Sequence, residues 1–290
     1  MNARLALLSA LALVNACAAP EERDPLAFRD GSVSSSDGVP IHYREGGAGE
    51  HALVFVHGWL GDAEVWDSAM RRFAPSYRVV ALDLAGHGSS GKGRSEWTVP
   101  RFADDVAAVV GELGLEHVTL VGHSMSGPIT VAAANELGPR VELLVPVDTL
   151  NDVEWDLPPE VWEQFFGGLR ADFPGAVSTF FRTILAAPTS PPAAIDAIVA
   201  GAQAADPVMA VAILERSRDY DVRAGLRALR APIHAINSDL NPTRLDVNRK
   251  YAPVFEVELL PGVGHWPHLE APEEFEQALE RVLALETALQ

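Results

Sequence analysis

The chain has 290 residues, 48% of them hydrophobic, enough for one large domain with an inserted subdomain and a core that needs no staples. Its 40 acidic residues against 22 basic ones give a formal net charge of -18. That field repels phosphate backbones and anionic headgroups and argues against nucleic acid as a partner. The acidity itself reads as a solvated surface, so no substrate charge is drawn from it.

The N-terminal stretch "MNARLALLSALALVNACAAPEERDP" has a basic start at Arg4, an apolar run from Leu5 to Val14, and then small residues. The run is too short to span a bilayer, which takes ~20 residues. Its length and order match a secretory signal peptide, and no polar face marks it as an ordinary N-terminal core helix. The segment Val14-Asn15-Ala16-Cys17 resembles a bacterial lipobox, in which the cysteine is lipidated and becomes the mature N-terminus. Asn15 departs from the small or apolar residue usual there, and the alternative is ordinary cleavage near Ala18 or Ala19. The resemblance implies a signal segment over residues 1–17 and export from a bacterial cytoplasm. The product would be either free in the periplasm or tethered to the membrane through lipidated Cys17. Cys17 is the only cysteine, so no disulfide supports the fold.

After Pro25, "GSVSSSDGVPIHYREGG" predicts two short strands around an Asp37-Gly38 turn. Four continuous apolar runs follow, Ala52–Gly58, Arg78–Leu84, Val118–Ser124 and Val141–Asp148, each ending in Gly, Leu, Ser or Asp. Such runs suit strands buried on both faces of a parallel sheet. Helical patterns lie between them at Asp62–Phe73, Arg101–Leu113 and Met125–Leu137. Two further strands are expected at Pro232–Asn237 and Val254–Leu260, and a last amphipathic helix opens at Pro272. From Asn151 to about Arg218 no strand pattern occurs, only helical pattern cut by Pro158-Pro159, Pro174, Pro188 and Pro191-Pro192. An insertion of that length far exceeds the usual ~2–6 residue αβ loop and has the character of a lid. The fold class expected is α/β, with a mostly parallel sheet flanked by helices. The core spans 30–150 and 221–290, around a helical cap at 151–220.

The stretch "LVGHSMSG" stands where an apolar strand meets a helix. The nucleophile-elbow pattern is G-x-S-x-G, in which a sharp turn holds the serine hydroxyl clear of the sheet. Gly122, His123, Ser124 and Met125 fit it, and Ser126 takes the last place before Gly127. Reading Ser126 as the nucleophile would break two positions instead of one, so Ser124 is the candidate. The motif requires an acid and then a histidine farther along the chain. His265, in "LLPGVGHWPHLEAPEEF", follows the last strand, with His268 as the weaker rival. Asp239, in "AINSDLNPT", is the preferred acid on the motif's spacing, and Asp148, ending "LLVPVD", is the alternative. Asp83, in "DLAGHGSSG", reads as shaping a turn. The oxyanion donors expected are the N–H groups of Met125, next to the nucleophile, and Trp59, just past His57-Gly58.

Taken together, "HGW", "DLAGHGSS", "GHSMSG", "NSDLNP" and "GHWPHLEAPEEF" resemble the α/β-hydrolase superfamily, in order and over nearly everything after the leader. The resemblance implies an eight-stranded sheet with the helical cap between strands six and seven, and an esterase- or lipase-like serine hydrolase. Two departures stand out: Ser126 where glycine is usual, and Asn237-Ser238 where the acid loop more often has glycine. The activity expected is hydrolysis of a carboxylic ester or lactone through an acyl-enzyme, with no metal or organic cofactor. Seven cap aromatics, Trp155, Trp162, Phe165, Phe166, Phe173, Phe180 and Phe181, either pack the cap or line a cavity for a small to medium apolar substrate. C–C bond hydrolases, acyltransferases and perhydrolases share the fold and the triad, and a non-catalytic small-molecule receptor is the alternative of a different class. A haloalkane dehalogenase would need an aspartate at Ser124.

Overall fold

Eight strands form one sheet in the computed structural model, which describes residues 27–287; the signal peptide and Cys17 expected from the sequence lie outside the described residues. The expected hairpin is β1 (Arg29–Ser34) and β2 (Pro40–Gly46), antiparallel to each other. The buried runs become β3 (His51–Val56), β4 (Arg78–Leu82), β5 (His117–His123) and β6 (Val141–Val147). Strands β7 (Ile233–Ser238) and β8 (Phe255–Leu260) follow late in the chain. Their order in the sheet is β1-β2-β4-β3-β5-β6-β7-β8. β2 meets β4 antiparallel, and every pairing from β4 to β8 is parallel.

Alternate residues of a buried strand serve opposite faces, and both faces here are covered. Val54 and Val56 join one core with Phe102 of α2 (Val99–Glu112) and Ile129 of α3 (Ser126–Leu137). Leu53 and Phe55 join the other, with Met70 of α1 (Asp67–Phe73) and Phe275 of the last helix. The segment between β6 and β7 has no strand and is mainly helical, as expected: α4 (Pro159–Ala171), α5 (Phe173–Phe180) with a π-helical turn at Phe181–Leu185, α6 (Pro192–Gln203), α7 (Pro207–Arg218) and α8 (Val222–Ala228). Short α9 (Leu245–Asn248) and α10 (Pro267–Glu270) precede the terminal α11 (Pro272–Thr287).

The helical pattern is cut at the cap prolines as expected, and most of them begin the next helix. Pro159, Pro174, Pro192 and Pro207 all stand in a first turn, where the missing N–H would have had no partner. Asp172 and Asp206 cap α5 and α7 by accepting from Gly175 and Met209 N–H.

A buried ion cluster fastens the hairpin to the domain. The Arg94 guanidinium, 1% exposed, donates to Asp105 at 2.6 and 3.0 Å and to Asp37 at 2.7 Å. Asp105 also accepts from the Ser35 hydroxyl at 2.6 Å and from Ala85 N–H at 3.1 Å. Asp83 has the structural role expected, accepting from Ala63 N–H and Ser89 N–H and meeting His42 Nδ1 at 3.0 Å. Asp105→Asn should lower stability by about 3 kcal/mol in urea unfolding, because it leaves the buried guanidinium without its main counter-charge.

Two of the four buried histidines, His87 and His268, are enclosed by aromatic rings. His87 packs beside His57 and Phe102, and His268 stacks on Trp66 at 4.2 Å. His87 Nε2 and both ring nitrogens of His268 have no hydrogen-bond partner among the described residues. Burial, reinforced by a neighbouring histidine, pushes each imidazole from its ordinary 6.5 down to about 3. Between those values the unfolded chain takes up protons that the folded one refuses. Stability is therefore present above pH ~6.5 and lost as pH falls toward 3, at roughly 1.4 kcal/mol per pH unit for each group. His268→Phe, which keeps an aromatic ring on Trp66, should make the fall in melting temperature between pH 6 and 4 shallower than in the wild type.

Candidate active site

The sheet brings three loop ends to one edge. Ser124 follows β5, Asp148 follows β6 and His265 lies between β8 and α10. Ser124 has φ 53, the left-handed region that side chains rarely adopt. Its N–H donates to Val147 O at 3.0 Å and its carbonyl accepts from Gly127 N–H at 2.9 Å, so the turn into α3 is tight. The hydroxyl is thereby held out of the sheet, 2.7 Å from His265 Nε2.

On the far side of the imidazole, Nδ1–H donates to Asp148 Oδ2 at 2.6 Å. The other carboxylate oxygen, Oδ1, accepts from Ser238 N–H at 2.8 Å and from its hydroxyl at 2.7 Å. Burial pushes this carboxyl up, but the hydrogen bond and charge of His265 and the two bonds from Ser238 outweigh it. They hold Asp148 below its ordinary 3.8. The carboxylate is thus an acceptor at neutral pH and fixes the imidazole with its bare Nε2 toward Ser124.

Asp239, the acid preferred from the sequence, is not on the histidine. It is exposed, and its carboxylate accepts from Gly262 N–H at 2.9 Å, in the turn after β8. The reason lies in strand geometry. Asp148 ends the strand beside β5, with its N–H on Ile236 O and a left-handed φ of 45. Ser238, the last residue of β7, turns both of its donors back to that carboxylate. Asn248 and Asn237 fasten the same loop, through Leu150 O at 2.6 Å and Thr149 N–H at 3.3 Å.

Ser126 is fully buried, and its hydroxyl donates to the carbonyl of His57. It ties the elbow to the loop that carries Trp59 and has no contact with His265 among the bonds described. Gly58 lies between the two loops: a Cβ there would come within 2.7 Å of His123 Nδ1 and 3.0 Å of Ser124 Cβ. His57 stiffens the same loop, accepting from Leu84 N–H at Nε2 (3.0 Å) and giving Nδ1–H to Gly58 O (2.7 Å). Met125 stands at the N-cap of α3, where backbone N–H groups have no partner in the helix and the helix dipole favours negative charge. Trp59 and Met125, the residues expected to supply oxyanion donors, thus stand on adjoining loops.

The cap closes over this edge through Trp59. The indole Nε1–H donates to Ala210 O of α7 at 2.9 Å, and the ring meets Phe173 and Phe181 edge-on. Phe181 also lies 5.0 Å from Trp266, next to His265. Of the seven cap aromatics, Phe173 and Phe181 are therefore the ones tied to the site's own residues. Trp162, Phe165, Phe166 and Phe180 pack on one another, and Trp155 is exposed. His268, the rival histidine, is enclosed between Trp66, His123 and Phe275. Its aromatic surroundings were not legible from the sequence, and neither were the roles of Ser238 and Asn248, which sit in strings without a distinguishing motif.

Known proteins share this architecture. The alpha/beta hydrolase family model matches residues 53–278. A pimeloyl-[acyl-carrier protein] methyl ester esterase from Pectobacterium atrosepticum is 28% identical over 265 residues, covering 86% of this chain and 99% of that protein. A non-heme chloroperoxidase from Streptomyces lividans is 34% identical over 155 residues, covering 49% of this chain and 55% of that protein. In several curated relatives, the chloroperoxidase among them, the matched stretch spans only 32–55% of the relative's own length. The structure of a thermophilic esterase from Thermogutta terrifontis superposes with a TM-score of 0.77 at 24% identity, over 89% of this chain and 99% of that one, a likeness of fold. With the matched residues spanning most of the sheet and the strand-end site intact, the chain belongs to the alpha/beta hydrolase family.

Proposed function

We propose that the protein is a serine hydrolase that cleaves carboxylic esters, lactones included, of small to medium apolar substrates. The observation that carries this reading is the unbroken line of hydrogen bonds from Ser124 Oγ through His265 to Asp148, at 2.7 and 2.6 Å. His265 Nε2 takes the proton from Ser124 as the oxygen attacks the ester carbonyl, and Asp148 stabilises the imidazolium that forms. The Trp59 and Met125 N–H groups receive the oxyanion, each worth ~10²–10³ in rate. His265 then returns its proton to the leaving alcohol. In the second half it activates water, which releases the carboxylic acid and frees Ser124.

The preference for apolar substrates rests on the surroundings of Ser124. Met125 follows Ser124 and Trp266 follows His265, and Trp59 and Trp266 both contact Phe181 of the cap; all four belong to the main hydrophobic core. An ester with an uncharged acyl group fits such walls without stranding a charge. Relatives carry the names methyl ester esterase and bifunctional esterase/perhydrolase. The second name favours a further reading on the same acyl-enzyme, in which hydrogen peroxide replaces water as the attacking nucleophile and a peracid leaves.

A fluorophosphonate probe with adduct mapping tests the nucleophile. Ser124 should carry the label, Ser124→Ala should lose both label and ester turnover, and Ser126→Ala should keep them. A label on Ser126 instead would refute the reading. The acid is tested separately by kcat on a chromogenic ester. Asp148→Asn should drop it by ~10⁴, because the amide favours the wrong imidazole tautomer. Asp239→Asn should stay near the wild-type value.

A further inference from the structure

The loop carrying His265 is held by a carboxylate that the triad does not use. Glu270, 8% exposed, accepts from Gly264 N–H at 2.9 Å through Oε2 and from Trp266 N–H at 3.0 Å through Oε1. These are the two residues flanking His265, so one carboxylate clamps the backbone on both sides of the imidazole. The histidine's own peptide groups are also taken: its N–H donates to Leu185 O at 2.8 Å and its carbonyl accepts from His123 Nε2 at 2.7 Å.

The clamp also reaches into the cap. Leu185 ends the π-helical turn that follows α5. Ser190, five residues on, donates its hydroxyl to Glu270 Oε2 and accepts from Ala187 N–H at 2.8 Å. The three segments meet with no room to spare. A Cβ on Gly264 would fall 2.7 Å from Glu270 Oε1, 2.8 Å from Ala187 N and 2.8 Å from Ser190 Oγ.

We infer that Glu270 is a positioning residue for His265, and that Ser190 makes its grip depend on the seating of the cap segment 181–190. This rests on His265 acting as the base of the proposed hydrolase. A carboxylate is suited to the task because both of its oxygens accept, matching three converging donors. An amide in its place would turn an NH₂ toward one of the backbone N–H groups and release one side of the clamp. Ser190 is half-buried, and its hydroxyl is the only group of its side chain able to report the cap's position to Glu270. When the segment is seated, the base is locked in line with Ser124; when it lifts, the clamp loses its third donor and His265 loses the Leu185 carbonyl.

The experiment compares Glu270→Gln, Ser190→Ala and Ser190→Thr with wild type, reading kcat and KM on a chromogenic ester, the rate of fluorophosphonate labelling, and the melting temperature. Glu270→Gln should lower kcat and labelling by ~10–100-fold with KM little changed, the scale expected for a base displaced by a fraction of an ångström. Ser190→Ala should lower both by a few-fold, and Ser190→Thr, which keeps the hydroxyl, should restore them. Wild-type kcat in Glu270→Gln and Ser190→Ala would overturn the inference, as would a fall in melting temperature alone. Should Glu270→Gln fail to fold, the Ser190 pair decides by the presence or absence of threonine rescue. Turnover and labelling that survive in Ser124→Ala would instead remove Ser124 as the nucleophile, and with it the proposed triad on which the inference rests.

Discussion

Two neighbouring strands end in left-handed backbone at residues other than glycine, Ser124 and Asp148, and the rest of the site is arranged around that constraint. Each such residue costs about 1–3 kcal/mol, and each persists only because its surroundings leave no alternative. At Ser124 the turn is closed by Val147 O, Gly127 N–H and the start of α3. At Asp148 it is closed by Ile236 O and by two donors from Ser238. Since β5 and β6 are adjacent, the two strained turns face the same solvent edge, and one imidazole can bridge them. His265 has only to be delivered from β8, across the end of β7, and its loop is fastened at every peptide group that would let it drift.

The sheet was legible because its strands are buried on both faces and therefore read as unbroken apolar runs. Ser124 and His265 were legible for another reason: their neighbours in sequence are also their neighbours in space, so a short string records the geometry. The acid could not be read in this way. Asp148 and Asp239 both lie between Ser124 and His265 in the chain, so the order of the motif admits either. The choice falls to a relation across strands, in which β7 contributes Ser238 as a donor to the carboxylate at the end of β6. The prolines of the cap marked helix boundaries correctly, because a proline at a first turn starts one helix where the previous one has ended.

The cap is more than a cover. Trp59 offers its backbone to the proposed oxyanion site and its indole to α7, while the His265 loop shares hydrogen bonds with the segment leading out of α5. In the proposed mechanism, electrostatic stabilisation and general base catalysis thus both draw on groups that touch the cap.

The setting of Trp59 also has an optical consequence. Its indole is almost wholly buried, bonded through Nε1 to Ala210 O, and bordered by Phe173 and Phe181. Lifting α7 would strip that partner and wet the ring, moving its fluorescence to longer wavelength. Trp66, stacked on His268 in the core, would keep its surroundings, but Trp97, Trp155, Trp162 and Trp266 also emit, so the Trp59 signal is read as the difference between the wild type and Trp59→Phe. The molecule therefore carries its own fluorophore at the seam between cap and core, and cap motion can be followed in the unlabelled protein while substrate enters.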